Sequence, residues 1–193
     1  MRRQMEIADY QRAAQRTSPD DGHDKLHNAE LGLIGEAGEI VDVLKKQLFQ
    51  GLDPARAREM MIDELGDVLW YIAEGCAGLG RDIAALHRLT IEIGVARISE
   101  DADLEEAAVR LASWAASAHA VITRYGNWKR VAVAWRELRT VYRRALDLAV
   151  LLGVGIEEVM AGNIDKLRAR YPEKFDAAIS SARYEGGGEH GDQ

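Results

Sequence analysis

Two short acidic stretches, GEAGE at residues 35–39 and DELGD at residues 63–67, decide the fold and the chemistry expected of this chain. Each stretch holds two acids three residues apart. At roughly 100° per residue, a helix places residues at that spacing on one face. The sequence therefore predicts two helices, each with a pair of carboxylates side by side. The four acids are Glu36, Glu39, Glu64 and Asp67.

Each acidic pair adjoins a row of apolar residues at helical spacing. The rows are Leu33, Ala37, Ile40, Val43 and Leu44 in the first helix and Met61, Leu65, Val68 and Ile72 in the second. If the rows pack on each other, the four carboxylates converge at the margin of the core, where their repulsion is poorly screened. A hard cation relieves that repulsion. Mg²⁺, with Mn²⁺ as a substitute, fits because it binds carboxylates, water and substrate phosphates together.

The alternative is that both pairs are ordinary charged faces in solvent, as most such pairs are. Acids on a solvated helix face usually stand four residues before Lys or Arg. The positions four residues after these acids instead hold Ile40, Val43, Val68 and Tyr71. A metal site and a solvated face both stay open on spacing alone.

Composition limits the classes of function. The chain has 193 residues, 47% of them hydrophobic, which suffices for one domain with a full core. Its formal charge of -7 argues against a nucleic-acid partner, which rewards a basic surface. Cys76 is the only cysteine and residues 1–10 are too polar for a signal peptide, so we expect a cytoplasmic protein. No apolar run approaches the roughly 20 residues of a membrane span, and no membrane partner is expected.

The sequence predicts helix nearly throughout, and hence an all-α helical bundle with a single domain over residues 1–184. The predicted helices cover residues 4–16, 24–50, 54–80 and 82–98, then run from the loop 99–103 to about 125–127, over 128–152, and as a last pair flanking 171–172. Asp53 and Asp82 are predicted to cap the helices that follow them. The glycine-rich tail, residues 185–193, is expected to be disordered.

Residues 28–71, which contain GEAGEIVDVLKK and DELGDVLWY, resemble the MazG-like all-α nucleoside triphosphate pyrophosphohydrolases. The signature of that family is E-x-x-E on one helix and E-x-x-D on the next. Residues 162–172, GNIDKLRARYP, resemble the N-x-x-K-L-x-x-R-Y-P segment common in the family, and residues 10–17 resemble its first helix. The resemblance covers residues 4–80 and 145–176 and leaves the middle of the chain unexplained.

The resemblance implies Mg²⁺-dependent hydrolysis of a nucleoside triphosphate to the monophosphate and pyrophosphate. It implies that Glu36, Glu39, Glu64 and Asp67 hold the metal, that Tyr71 and Asn163 touch the nucleotide, and that Lys45, Lys166 and Arg170 contact phosphates. Glu36 is the choice for the base that takes a proton from water. Residues 4–80 then carry the metal-binding helices and residues 156–182 the nucleotide-contacting segment. Many relatives have an additional Glu where this chain has Gly35, which leaves the number of metal ions open.

The supporting residues also have plainer interpretations. Lys45 suits the C-terminal half of a helix through the helix dipole, and Tyr71 could be an ordinary core aromatic residue. Lys166 and Arg170 could form a solvated face. Asn163 ranks above them, because Asn is a poor residue inside a helix. The histidines show no metal-ligand spacing with one another, and no role is assigned to them; they stand at positions 23, 27, 87, 119 and 190.

The middle of the chain, residues 82–152, can be interpreted as a degenerate copy of the front. Aligning Glu64 with Glu137 places Thr140 opposite Asp67, so the copy would have kept its helices and lost the metal. The alternative is that any two amphipathic helices look alike. A duplication of this kind resembles the dimeric dUTPases, and it predicts a homodimer.

A non-enzymatic function is the alternative to hydrolysis: a helical nucleotide-binding or interaction module whose acids hold a structural metal. Release of pyrophosphate from nucleotides distinguishes the two. The resemblance favours a deoxynucleoside triphosphate as the substrate, without a residue that selects the sugar.

Overall fold

The structure is a computed structural model, and it describes residues 5–19, 22, 24–93, 103–124 and 127–172. This part of the chain forms seven helices and no strand, which confirms the predicted all-α fold. The helices are α1 (Ile7–Gln15), α2 (Lys25–Phe49), α3 (Pro54–Gly78), α4 (Ile83–Glu92), α5 (Leu104–Ile122), α6 (Asn127–Leu151) and α7 (Ile156–Arg170). None of these seven is long and apolar enough to cross a membrane.

Capping side chains set the starts of four helices, among them α5, where Asp103 accepts a hydrogen bond from the backbone N–H of Glu105 at 3.1 Å. Asp24, Asp53 and Asp82 each accept a hydrogen bond from a backbone N–H two or three residues later, at 3.1, 2.9 and 2.7 Å. These bonds satisfy N–H groups that have no partner within the helix. At the other end of α2, Gly51 takes the left-handed conformation (φ 77°) that commonly follows a helix. The predicted caps at Asp53 and Asp82 are thus confirmed.

Three helices are shorter than predicted. The first begins at Ile7 rather than at residue 4, α4 ends at Glu92 rather than at residue 98, and α5 ends at Ile122 rather than near residues 125–127. Gly94 closely follows the end of α4, and Gly disfavours a helix by about 1 kcal/mol relative to Ala. The helix predicted after Pro172 and the tail 185–193 lie outside the described residues.

The helices pack in two pairs with three smaller elements around them. α2 packs along α3, and α5 packs along α6; the second pair contacts the first through α2 with α5 and α3 with α6. Helices α1 and α7 lie against α3 and against each other, while α4 contacts α1 and α6. Leu33, Ile40, Val68 and Ile72 are all at most 1% exposed, so the two predicted apolar rows do form the core. Cys76 is buried in the same core.

Gly32 in α2 allows the ring of Tyr71 in α3 to pack directly against the backbone of the neighbouring helix. A Cβ atom added at Gly32 would lie 2.1 Å from the Tyr71 ring, far inside van der Waals contact. Gly38, in the same helix, has no heavy atom within 4 Å of an added Cβ. The Tyr71 ring also stands edge-on to Trp70, with ring centroids 4.9 Å apart. Tyr71 therefore helps to set the spacing of the α2–α3 pair.

Replacing Gly32 by alanine is expected to destabilise the protein. The added methyl group must displace the Tyr71 ring, and overpacking of this kind costs about 1–3 kcal/mol, which exceeds the gain in helix propensity of about 1 kcal/mol. Gly38→Ala is the matched control, since it brings the propensity gain without the clash. Urea unfolding followed by circular dichroism should show a lower midpoint for Gly32→Ala and an unchanged or higher midpoint for Gly38→Ala. Equal midpoints would contradict the close approach.

Candidate metal centre

Three of the four predicted acids meet where α2 packs on α3. Glu36 comes from α2, and Glu64 and Asp67 come from α3; each offers a carboxylate oxygen, and these oxygens all lie within 4.8 Å of one another. The three side chains are partly buried. The apolar rows beside them hold the two helices together, so the packing that forms the core also forces the carboxylates into proximity.

The proximity of these acids changes their ionisation. Burial, followed by the charge of Asp67, raises the pKa of Glu36 from 4.5 to about 7. The same two causes, in the same order, raise the pKa of Glu64 to about 7. A carboxylate that gives up its proton here loses part of its hydration and meets a second negative charge. In the protein without metal, both groups therefore keep a proton until the pH is close to neutral.

Asp67 is held on both of its oxygens by side chains of α7. The Asn163 amide Nδ2 donates to Oδ1 at 2.9 Å, and the Lys166 ammonium donates to Oδ2 at 2.7 Å. Lys166 also pairs with Asp63 at 2.9 Å. These bonds fasten α7 to α3 and put one positive charge at the edge of the acid group.

Tyr10 is a residue of this site that the sequence did not reveal. Its hydroxyl donates to Asn163 Oδ1 at 2.9 Å, and it reaches the backbone oxygen of Gly66 at 3.4 Å. Gly66 leaves room for the side chain of Asn163, since an added Cβ would lie 3.0 Å from the Cβ of Asn163. With its oxygen accepting from Tyr10, the Asn163 amide must turn its NH₂ group toward Asp67. Tyr10 thus fixes the orientation of the amide.

The fourth predicted acid, Glu39, stands apart from the other three. It is exposed on α2, and its oxygens are not within the 4.8 Å group, although its charge contributes weakly to the raised pKa of Glu36. The three-residue spacing does not account for this, because Glu64 and Asp67 have the same spacing and both belong to the group. The two acids of α2 differ in burial: Glu36 is partly buried, whereas Glu39 is exposed to solvent.

The remaining predicted contacts are spread more widely. Lys45 forms an ion pair with Asp42 on the exposed part of α2, nine residues and about 14 Å along the helix from Glu36. Arg170 is the last residue of α7. Tyr71 lies one turn beyond Asp67, with its ring against Gly32. The structure thus brings Asn163, Lys166 and Tyr71 close to the acids, and it places Lys45 at a distance.

The acid group fits a hard divalent cation. Its donors are all carboxylate oxygens, which Mg²⁺ and Mn²⁺ prefer, and none of the three acids is joined by a thiolate or imidazole ligand within the described residues. The group is also open on the side of Glu39, where water can complete the coordination of a metal. Without a cation, burial and the charge of Asp67 raise the pKa values of Glu36 and Glu64 to about 7.

Comparison with known proteins agrees with this arrangement. Residues 25–82, which contain the whole of α2 and α3, match the family model of the MazG nucleotide pyrophosphohydrolase domain. This match confirms the resemblance predicted from the sequence for this pair of helices. The Gene 37 protein of Mycobacterium phage L5 is 41% identical over 56 residues, which are 28% of this chain and 49% of the phage protein. The chain thus spans about half the length of that relative. No solved structure matches the chain.

The raised pKa values predict how the metal-free protein responds to pH. Between pH 4.5 and about 7 the folded chain binds more protons at Glu36 and Glu64 than the unfolded chain does, so its free energy of unfolding falls as the pH rises. Because solvent screens these half-exposed groups, each of them lowers the free energy of unfolding by only about 1–2 kcal/mol over this pH range. Glu64→Gln should therefore raise the stability of the metal-free protein at pH 8 and have little effect at pH 4.

Chemical unfolding in EDTA at several pH values measures this difference. Glu105→Gln, at an exposed position of α5, is the control and should follow the wild-type curve. A Glu64→Gln variant that is less stable than the wild type at pH 8 would show that the carboxylate is not under repulsion.

Proposed function

We propose that this chain is a nucleoside triphosphate pyrophosphohydrolase that uses Mg²⁺, or Mn²⁺ in its place, at the acid group of α2 and α3. One observation carries the proposal: in the pair of helices that matches the MazG domain, Glu36, Glu64 and Asp67 bring their oxygens within 4.8 Å of one another. Bound there, Mg²⁺ would neutralise charge on the phosphate oxygens and make a bound water nucleophilic. The products are the nucleoside monophosphate and pyrophosphate.

The surroundings of each acid indicate its proposed role. Asp67 has both oxygens fixed by Asn163 and Lys166, which suits a ligand of constant position. Glu36 is the partly buried acid that α2 contributes to the group, and we assign it the role of general base, which takes a proton from the attacking water. Glu64 is a ligand from the same helix as Asp67. Glu39, exposed at the open side, completes the set as a ligand that closes on the metal from solvent.

The substrate is proposed to bind between the acids and α7. Lys166 is the best-placed cation for a phosphate, because its ammonium lies 2.7 Å from Asp67 Oδ2. A divalent ion beside Asp67 would repel that ammonium and favour its contact with a phosphate instead. Asn163 and Arg170, on the same helix, and Tyr71 are the further proposed contacts with the nucleotide. Lys45 remains a proposed phosphate contact, although it lies further along α2 from the acids than the other proposed contacts do.

Two parts of the proposal, the substrate and the assembly, rest on the resemblance to known families, and the location rests on the single cysteine. A deoxynucleoside triphosphate is the proposed substrate, as in the dUTPases. A homodimer is the proposed assembly, because the α5–α6 pair packs on α2 and α3 within one chain, which leaves less surface for partner chains to cover. The cytoplasm, where nucleotides and free thiols are found, is the proposed location. Nucleic acid and membranes are not proposed as partners.

Neutral replacements of the acids test the proposal directly. Glu64→Gln and Asp67→Asn should each lower kcat with Mg²⁺ by at least about 100-fold, because each removes a charge that holds the metal. Glu39→Gln should have a smaller effect, since Glu39 is exposed. The assay measures release of pyrophosphate from a panel of ribonucleoside and deoxynucleoside triphosphates.

Glu105→Gln, far along the chain in α5, is the control and should keep full activity. Wild-type protein that binds nucleotide and Mg²⁺ but releases no pyrophosphate from any member of the panel would favour the non-enzymatic alternative. Full activity of Asp67→Asn would exclude the assigned metal site.

Substitution of the basic residues tests the direction from which substrate binds. Lys166→Gln should raise KM for the nucleotide about tenfold or more, since it removes a charge-assisted contact to phosphate. Lys46→Gln, at a lysine of α2 that pairs with Asp42, should leave KM unchanged. Steady-state kinetics with dATP and ATP gives KM and kcat for both sugars. If Lys46→Gln raised KM and Lys166→Gln did not, the phosphates would bind elsewhere on the surface.

A further inference from the structure

A second cluster of potential metal ligands lies at the other end of α2, away from the acid group. His27 and Glu30 stand in the first turns of α2, and His119 stands near the end of α5. Each offers one ligand atom, and these atoms all lie within 4.8 Å of one another. His27 and Glu36 are nine residues apart, about 14 Å along the helix axis, so the two clusters are separate.

Glu30 is the unusual member of this cluster. Its side chain is only 1% exposed. One oxygen, Oε2, lies 2.9 Å from Nδ1 of His119, while the other oxygen, Oε1, is buried and has no hydrogen bond. A carboxylate offers about four acceptor positions, and buried polar atoms almost always have partners. Glu30 is therefore a buried carboxylate with one unsatisfied oxygen, and one of its oxygens lies within 4.8 Å of a nitrogen of each of the two imidazole rings.

The nearby Arg130 does not supply the hydrogen bond that Oε1 of Glu30 lacks. Its guanidinium lies 3.5 Å from Oε1 of Glu30, beyond a good hydrogen bond, and it is shared at the same distance with Asp24. Arg130 offsets part of the charge of Glu30. It leaves the lone pairs of Oε1 unsatisfied.

We propose that His27, Glu30 and His119 form a binding site for Zn²⁺. Two imidazoles and one carboxylate are a ligand set that Zn²⁺ accepts, whereas Mg²⁺ prefers oxygen donors only. The ion joins the buried carboxylate of Glu30 to the two rings, and coordination by both carboxylate oxygens supplies the partner that Oε1 lacks. His27 is exposed, so the fourth position of the ion faces solvent and is filled by water.

The geometry needs little adjustment for this ion. Ligand atoms around a tetrahedral Zn²⁺ are roughly 3.3 Å apart, given bonds of about 2.0–2.1 Å. The rings of His27 and His119 have centroids 6.1 Å apart and are tilted by 42°. Rotation of the exposed His27 side chain about its own bonds closes the remaining gap. The ion then links the start of α2 to the end of α5, that is, the first helix pair to the second.

Zinc binding to the metal-stripped full chain tests the proposal. Isothermal titration with ZnSO₄, and the visible absorption of Co²⁺ bound in its place, should show one ion per chain at this site and an increase in Tm. His27→Ala should weaken binding by more than about 100-fold, beyond the 10–100-fold typical of an outer-shell partner. Because His27 is exposed, this variant keeps its fold, which circular dichroism checks.

Two controls separate this site from others. His87→Asn removes a histidine that contacts Tyr142 instead, and it should bind Zn²⁺ as the wild type does. Glu64→Gln weakens the acid group and should also keep this zinc site, while His27→Ala should keep Mg²⁺-dependent turnover. Wild-type protein that binds Zn²⁺ no better than His27→Ala overturns the proposal. So does zinc binding that is lost in Glu64→Gln and kept in His27→Ala.

Discussion

Glu36, Glu64 and Asp67 repel one another across the contact between α2 and α3, and much of the structure is arranged around that repulsion. The apolar rows beside the acids must pack to form a core, and their packing leaves the carboxylates no room to separate. The protein without metal offsets the repulsion in two ways: protons stay on two glutamates, whose pKa values rise to about 7, and the ammonium of Lys166 lies against Asp67. The proposed divalent cation would offset the repulsion in place of both.

The acid group depends on more of the chain than the two helices that carry it. Asp67 is positioned by Asn163, and the amide of Asn163 is oriented by Tyr10, so a chain of hydrogen bonds runs from α1 through α7 to α3. Residues 25–82, the part that matches a known domain, hold the acids but neither Tyr10 nor Asn163. Contacts of this kind explain why α1 and α7 both lie on α3. The outer helices thus position the acids in addition to covering the core.

The periodicity of the sequence predicted most of the helices, but it predicted few of the contacts between residues that are distant in the sequence. The helices, the caps at Asp53 and Asp82 and the buried rows follow from residues within a few positions of each other, which a helix places on one face. The spacing of the acids predicted that Glu36, Glu64 and Asp67 would meet, but it did not predict that Glu39 would lie apart from them. The roles of Tyr10 and of His119 could not be predicted, because each meets a partner that is distant in the sequence. Such contacts depend on how helices cross, and a single sequence does not specify that angle.

The two ligand clusters to which α2 contributes offer different donor atoms, so the two proposed sites would suit different cations. The cluster around Glu36 contains oxygens only and lies at the α2–α3 contact, while the cluster around Glu30 combines one carboxylate with two imidazoles at the α2–α5 contact. A hard cation gains little from imidazole, and a borderline cation such as Zn²⁺ gains much. The nitrogen atoms of His27 and His119 therefore favour Zn²⁺ at the second cluster. The acids of the first cluster are only partly buried, which suits Mg²⁺, an ion that usually keeps several of its bound waters. If both proposals hold, α2 would contribute to a site for phosphate chemistry and to a site that ties two helix pairs together, because the two clusters differ in their ligand atoms.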